Sequence, residues 1–165
     1  MIEFLYLVLK YVLVLLISVI TLYIASKLMD KLTANIDEWK EIAQGNVAVS
    51  IYFAAVVLSF GILLSASMKG YMSPVIAPDI GTYALALAGD ILRALVGMIS
   101  SVVTIYVALT VYDRLTKDID EFEELKEGNL AIGIIVAGMI LALTLIIAPA
   151  VEALSHYIYL KLFGG

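Results

Sequence analysis

Charged residues in this chain fall in clusters, and the stretches between them are long and apolar. Four uncharged runs stand out: Tyr11 to Ser26 between Lys10 and Lys27, Ile42 to Met68 between Glu41 and Lys69, Ala94 to Tyr112 between Arg93 and Asp113, and Gly128 to Val151 between Glu127 and Glu152. A helix needs about 20 apolar residues to cross a bilayer. The last three runs qualify directly. The first is shorter, but Lys10 and Lys27 can snorkel to the two interfaces. The pattern predicts four transmembrane helices and an all-α, polytopic membrane fold.

The pattern also repeats. Shifting the chain by 83 residues superimposes Asn35 to Ala48 on Asp118 to Ala131 without a gap. Tyr23/Tyr106, Asp30/Asp113, Thr33/Thr116, Asp37/Asp120, Glu38/Glu121, Glu41/Glu124, Gly45/Gly128 and Asn46/Asn129 are identical pairs. Such self-similarity at a fixed period marks an internal duplication. Each copy crosses twice, so both enter from the same side and the two helical hairpins run parallel. The predicted organisation is repeat one over residues 1–72, an outer loop over 73–79 with Pro74 and Pro78, repeat two over 80–150, and an interfacial tail over 151–165. The first apolar segment is expected to be retained, because Glu3 precedes the first Lys and no small-residue cleavage site follows.

Within each hairpin sits a short connector, at about 34–45 and 117–128. Asn35 with Glu38, and Asp118 with Glu121, have the spacing of a capping box. Ile36, Trp39 and Ile42 recur every three residues, as do Ile119, Phe122 and Leu125, which predicts one apolar stripe on a short helix. Gly45 and Gly128 suit a left-handed C-cap. Asn46 and Asn129 can cap the transmembrane helix that follows. The expected picture is an amphipathic helix lying on the bilayer surface with Trp39 at headgroup depth. Its polar face is acidic, with Asp37, Glu38 and Glu41 in one copy and Asp120, Glu121, Glu123, Glu124 and Glu127 in the other. Lipid charge therefore does not hold it down.

Small residues line the second and fourth membrane helices. Ala55 and Ser59 align with Gly138 and Ala142, and small residues four apart let helices approach closely in lipid. These positions are expected to pack the two helices together or to join symmetry mates.

Composition sharpens this reading. Of 165 residues, 63% are hydrophobic and mean hydropathy is +1.06, so lipid is the solvent. A net charge of -5 argues against nucleic acid as a partner. The absence of cysteine excludes disulfides, thiolate metal sites and a catalytic thiol. The single histidine, His156, has no second ligand at zinc spacing beyond Glu152, so neither a metal nor another cofactor is implied. No glycine-rich phosphate loop is present. No catalytic set emerges, and the protein is not expected to be an enzyme. Lys and Arg number six on the connector side (Lys27, Lys31, Lys40, Arg114, Lys117 and Lys126) and four on the other (Lys10, Lys69, Arg93 and Lys161). That bias places the connectors in the cytoplasm and both termini outside.

Three polar groups carry candidate chemistry. Asp37, Glu41, Asp120 and Glu124 read either as a cation-concentrating mouth, closed by oligomerisation, or as a solvated face. Asp30 and Asp113 sit near helix C-termini, where the macrodipole disfavours a carboxylate. They read as anchors for the connector or as cation ligands. Asp90 and Arg93 share a helix face. Arg93 aligns with Lys10, so both are expected to snorkel at the interface.

An Asp-Arg-Leu-Thr-like helix end, a short acidic helix and a Gly-Asn-Leu-Ala-like start occur twice, as Asp113-Arg114-Leu115-Thr116 with Glu124 to Ala131, and as Asp30-Lys31-Leu32-Thr33 with Glu41 to Ala48. This pattern resembles domain-of-unknown-function family 350, also known as uncharacterised protein family 0719. The resemblance implies a four-helix inner-membrane protein of bacteria or archaea and leaves the activity open. Two functions remain: a non-enzymatic oligomeric scaffold or accessory subunit that docks a cytoplasmic protein, and an ion or small-solute channel with an acidic cytoplasmic mouth.

Overall fold

The computed structural model describes residues 2–32, 36–69, 80–115 and 120–163. These residues form α1 (Ile2–Leu32), α2 (Glu38–Ala43), α3 (Val47–Ser67), α4 (Ile80–Leu115), α5 (Glu121–Lys126) and α6 (Leu130–Phe163), with no strand among them. The protein is an integral, multi-pass membrane protein: α1, α3, α4 and α6 are each long and apolar enough to cross a bilayer. The two short helices are the connectors.

The helices differ in length. The 36 residues of α4 span about 54 Å at the usual rise, against about 30 Å of hydrocarbon. The 21 residues of α3 just match the bilayer. The excess of α4, α1 and α6 projects at the end that carries the chain termini. Residues 151–163 are not a separate interfacial segment. They continue α6 through Pro149, and Val151 and Ser155 are buried. Membrane helices tolerate proline because neighbouring groups re-satisfy the freed backbone.

The parallel pair α3 and α6 forms the centre. Val49, Tyr52, Val56, Phe60, Val136 and Ile140 pack there, joined by Ile105, Ala108 and Leu109 of α4 and Leu125 of α5. Close approach is set by Gly133, where an added Cβ would lie 2.9 Å from the Ala48 backbone. Thr144 Oγ1 donates to Ser59 Oγ at 2.9 Å, linking the two helices across their buried seam.

Within the chain, the expected ridge forms the seam on α3 and not on α6, where it stays open to a symmetry mate. Ala55 and Ser59 lie on the seam and are buried, whereas Gly138 and Ala142 are exposed. On α6 the seam runs through Gly133, Val136, Ala137, Ile140 and Thr144 instead. The physical reason is that the two hairpins are closed differently. In the second, α4 lies along α6 and also against α3, where Gly97 admits Ser67 and Leu64. In the first, α1 stands off: Ala54 and Gly61 are exposed on α3, although their counterparts Ala137 and Thr144 are buried on α6. Sequence duplication thus survives in the elements and is relaxed in the packing.

Candidate functional site

Two polar constructions stand out, one at each end of the bundle. At the connector end, α2 and α5 are built alike. Asp37 caps α2, its Oδ1 accepting from the Lys40 N–H at 3.1 Å, and Asp120 caps α5 by accepting from Glu123 at 3.1 Å. This corrects the capping assignment: the caps are Asp37 and Asp120, two residues beyond Asn35 and Asp118, which lie outside the described residues. Starting the helix later turns Glu38 and Glu121 into its first residues. Both are buried at 2% and 6% exposure, so they do not belong to the solvated acidic face.

Each connector ends on a left-handed glycine, Gly45 at φ 86° and Gly128 at φ 83°. The next residue begins the membrane helix. Asn46 accepts from the Val49 N–H at 3.1 Å, and Asn129 accepts from Ala131 at 3.1 Å. The Asn46 amide then donates to Glu41 at 3.1 Å, and that of Asn129 to Glu124 at 2.6 Å. Glu41 and Glu124 therefore clamp the corner between connector and membrane helix. Asn46 also donates to the carbonyls of Leu125 and Lys126, at 3.0 and 3.2 Å, which ties the first corner to the second connector. Nothing in the linear motif distinguishes Asn46 from Asn129, so this link between repeats could not be read from it.

The apolar stripes are divided between bundle and surroundings. Ile36 and Leu125 enter the core, while Trp39 remains 57% exposed. Trp39 is held edge-on to Phe53 at 5.1 Å and donates to Ser26 Oγ at 3.3 Å. The connectors thus rest on their own helices as well as facing outward. Asp30 and Asp113 fall inside α1 and α4, and their side chains lie outside the described residues.

At the opposite end, three ionisable side chains share one buried site. Lys10 Nζ is 3.0 Å from Asp90 Oδ2, with the two side chains 2% and 5% exposed. Arg93 is 6% exposed; it donates to the Lys69 carbonyl at 3.3 Å, and its guanidinium carbon lies 3.9 Å from the centre of the Tyr159 ring. Its Nε–H has no hydrogen-bond partner, and neither has the Tyr6 hydroxyl. Tyr6 and Tyr83 close the site with ring centres 4.6 Å apart. Gly89 makes room for Tyr159, which an added Cβ would strike. The snorkelling expected of Lys10 and Arg93 does not occur. They occupy equivalent positions in the two repeats and turn inward, Lys10 onto Asp90 and Arg93 onto the Lys69 carbonyl and the Tyr159 ring. The signal was the equivalence of Lys10 and Arg93 with Asp90 one helical turn away; what the sequence could not show was that α1 and α4 meet there.

The model of the family described as Domain of Unknown Function (DUF350) matches the chain twice, over residues 3–89 and 84–164. The chain belongs to this family. The two matched copies are the two hairpins, so the DUF350 unit is one helix–connector–helix module and this chain joins two of them. Neither a curated protein nor a solved structure matches the chain.

Proposed function

We propose that this DUF350 protein is a non-enzymatic component of a prokaryotic plasma membrane, an oligomeric scaffold or accessory subunit whose connectors face the cytoplasm and dock a protein partner. The Lys and Arg bias supports that orientation. The observation that carries the reading is how the connector carboxylates are used. Asp37 and Asp120 cap their helices, and Glu41 and Glu124 hold the asparagine corners. Acids committed to backbone and amide groups build a rigid platform rather than a freely hydrated ring for cations. The platform leaves Trp39, Lys40, Glu123, Lys126 and Glu127 exposed for a partner. Exposed Gly138 and Ala142 on α6 support self-association, since small residues favour close helix contact in lipid.

The alternative is an ion or small-solute channel. The buried Lys10–Asp90–Arg93 site supports it as a charged cluster at the end of the bundle, level with Lys69 where α3 ends. Flux through liposomes decides between the two. The scaffold reading expects no flux above protein-free vesicles, for the wild type and for a variant with Asp37, Glu41, Asp120 and Glu124 neutralised. Flux that those substitutions alter would establish the channel and remove the scaffold reading.

A further inference from the structure

The stand-off of α1 leaves an open groove between α1 and α3, with a volume of about 480 Å³. It is lined by Tyr11, Ser18, Leu22, Gly61, Ser65 and Met68, among others. From Tyr11 to Leu22 the groove follows α1 for about 16 Å, which is about the thickness of one hydrocarbon leaflet. Its inner surface is mostly apolar, and Ser18 turns its hydroxyl back to the Val14 carbonyl at 2.8 Å. The groove is thus shaped for hydrocarbon along the leaflet nearest the chain termini.

Its mouth has a different character. Lys10 precedes the lining Tyr11, Lys69 follows the lining Met68, and Arg93 donates to the carbonyl of Lys69. Among the described residues these three cations face two carboxylates, Asp90 and Glu152, which pair with Lys10 and Lys69. Lys69 is 68% exposed in its side chain and can turn toward a new acceptor. The buried Nε–H of Arg93 is an unused donor beside it. We propose that this groove binds one anionic phospholipid, with an acyl chain along α1 and α3 and the phosphate at the mouth beside Lys69, with Arg93 behind it.

The second repeat supplies an internal comparison. Its α4–α6 groove, of about 300 Å³, is lined by Thr104, Ile147 and Val151, which are the counterparts of Thr21, Leu64 and Met68. The residue after Val151 is Glu152, where the first groove has Lys69. The second groove is the smaller of the two, and Glu152 at its end turns to Lys69, 2.7 Å away, rather than into the groove.

The test is native mass spectrometry of the full chain, reconstituted in equal phosphatidylglycerol and phosphatidylcholine and then stripped with detergent. One basic residue near a membrane surface changes anionic-lipid retention by about five-fold. Wild type is expected to retain phosphatidylglycerol over phosphatidylcholine by at least that factor. Gly61→Leu should remove the bound lipid, and it should fold, because an added Cβ there meets nothing within 4 Å. Lys69→Glu should abolish the preference between headgroups. Ala150→Leu, which fills the second groove, should leave retention unchanged. Equal retention of the two lipids by wild type, or unchanged retention in Gly61→Leu, would overturn the proposal. So would equal loss in Ala150→Leu. A Gly61→Leu variant that changes oligomeric state but not bound lipid would assign the groove to a second copy instead.

Discussion

At the scale of single residues, polar groups in this protein are spent on fixing corners and ends. Asp37 and Asp120 satisfy helix-start N–H groups, so Asp37→Ala is expected to cost about 1 kcal/mol. Thermal denaturation in detergent would show it, with Asp37→Asn largely restoring stability. Gly45 and Gly128 hold a left-handed backbone that costs other residues about 1–2 kcal/mol. Gly128→Ala should lower the melting temperature accordingly. The largest effect belongs to Asp90. Removing its charge strands Lys10 and Arg93 together in a buried site, and breaking a buried pair costs about 3–5 kcal/mol. Asp90→Asn should therefore destabilise strongly, and adding Lys10→Met should recover much of the loss. A double-mutant cycle with no coupling between the two would show that the pair contributes nothing.

At the scale of elements, the helices were legible because lipid imposes so simple a rule. Long uncharged runs bounded by charged residues gave all four membrane helices. The connectors were legible from a glycine-asparagine pair found twice. Two features were not. The cap moved from Asn35 to Asp37 because several polar residues compete for the same N–H groups, and spacing alone does not rank them. The ridge on α6 moved from Gly138 and Ala142 to Gly133, Ala137 and Thr144 because a helix rich in small residues offers more than one smooth face. Gly133→Leu is thus expected to break the α3–α6 seam, since the side chain would meet the Ala48 backbone. Gly138→Leu should leave the melting temperature of the isolated chain unchanged, because an added Cβ there meets open space. Any effect of the latter on assembly would report contact between copies.

At the scale of the whole molecule, one hairpin has been used twice and closed in two ways. In the second copy α4 lies deep between α3 and α6. In the first, α1 is held near its terminal end by Lys10 to Asp90 and Tyr6 to Tyr83, packs again through Ile17 and Ala25, and leaves a groove open on its α3 side. The duplication in sequence announced equivalent elements, but equivalent elements need not pack equivalently once they belong to one chain and can diverge. Substitutions such as Val14 for Gly97 and Gly61 for Thr144 record that divergence. The buried charge site and the open groove both lie where the symmetry is broken, which is why neither could be read from the repeat.

A parallel duplication requires that both hairpins enter the membrane in the same direction. The chain contains no cysteine, so single cysteines can be introduced at the exposed positions Lys40 and Glu123 and labelled with a membrane-impermeant maleimide in intact and opened vesicles. The two connectors are predicted to label from the same face, with a cysteine at Lys161 labelled from the opposite one. Labelling of positions 40 and 123 from opposite faces would contradict the parallel duplication and everything built on it.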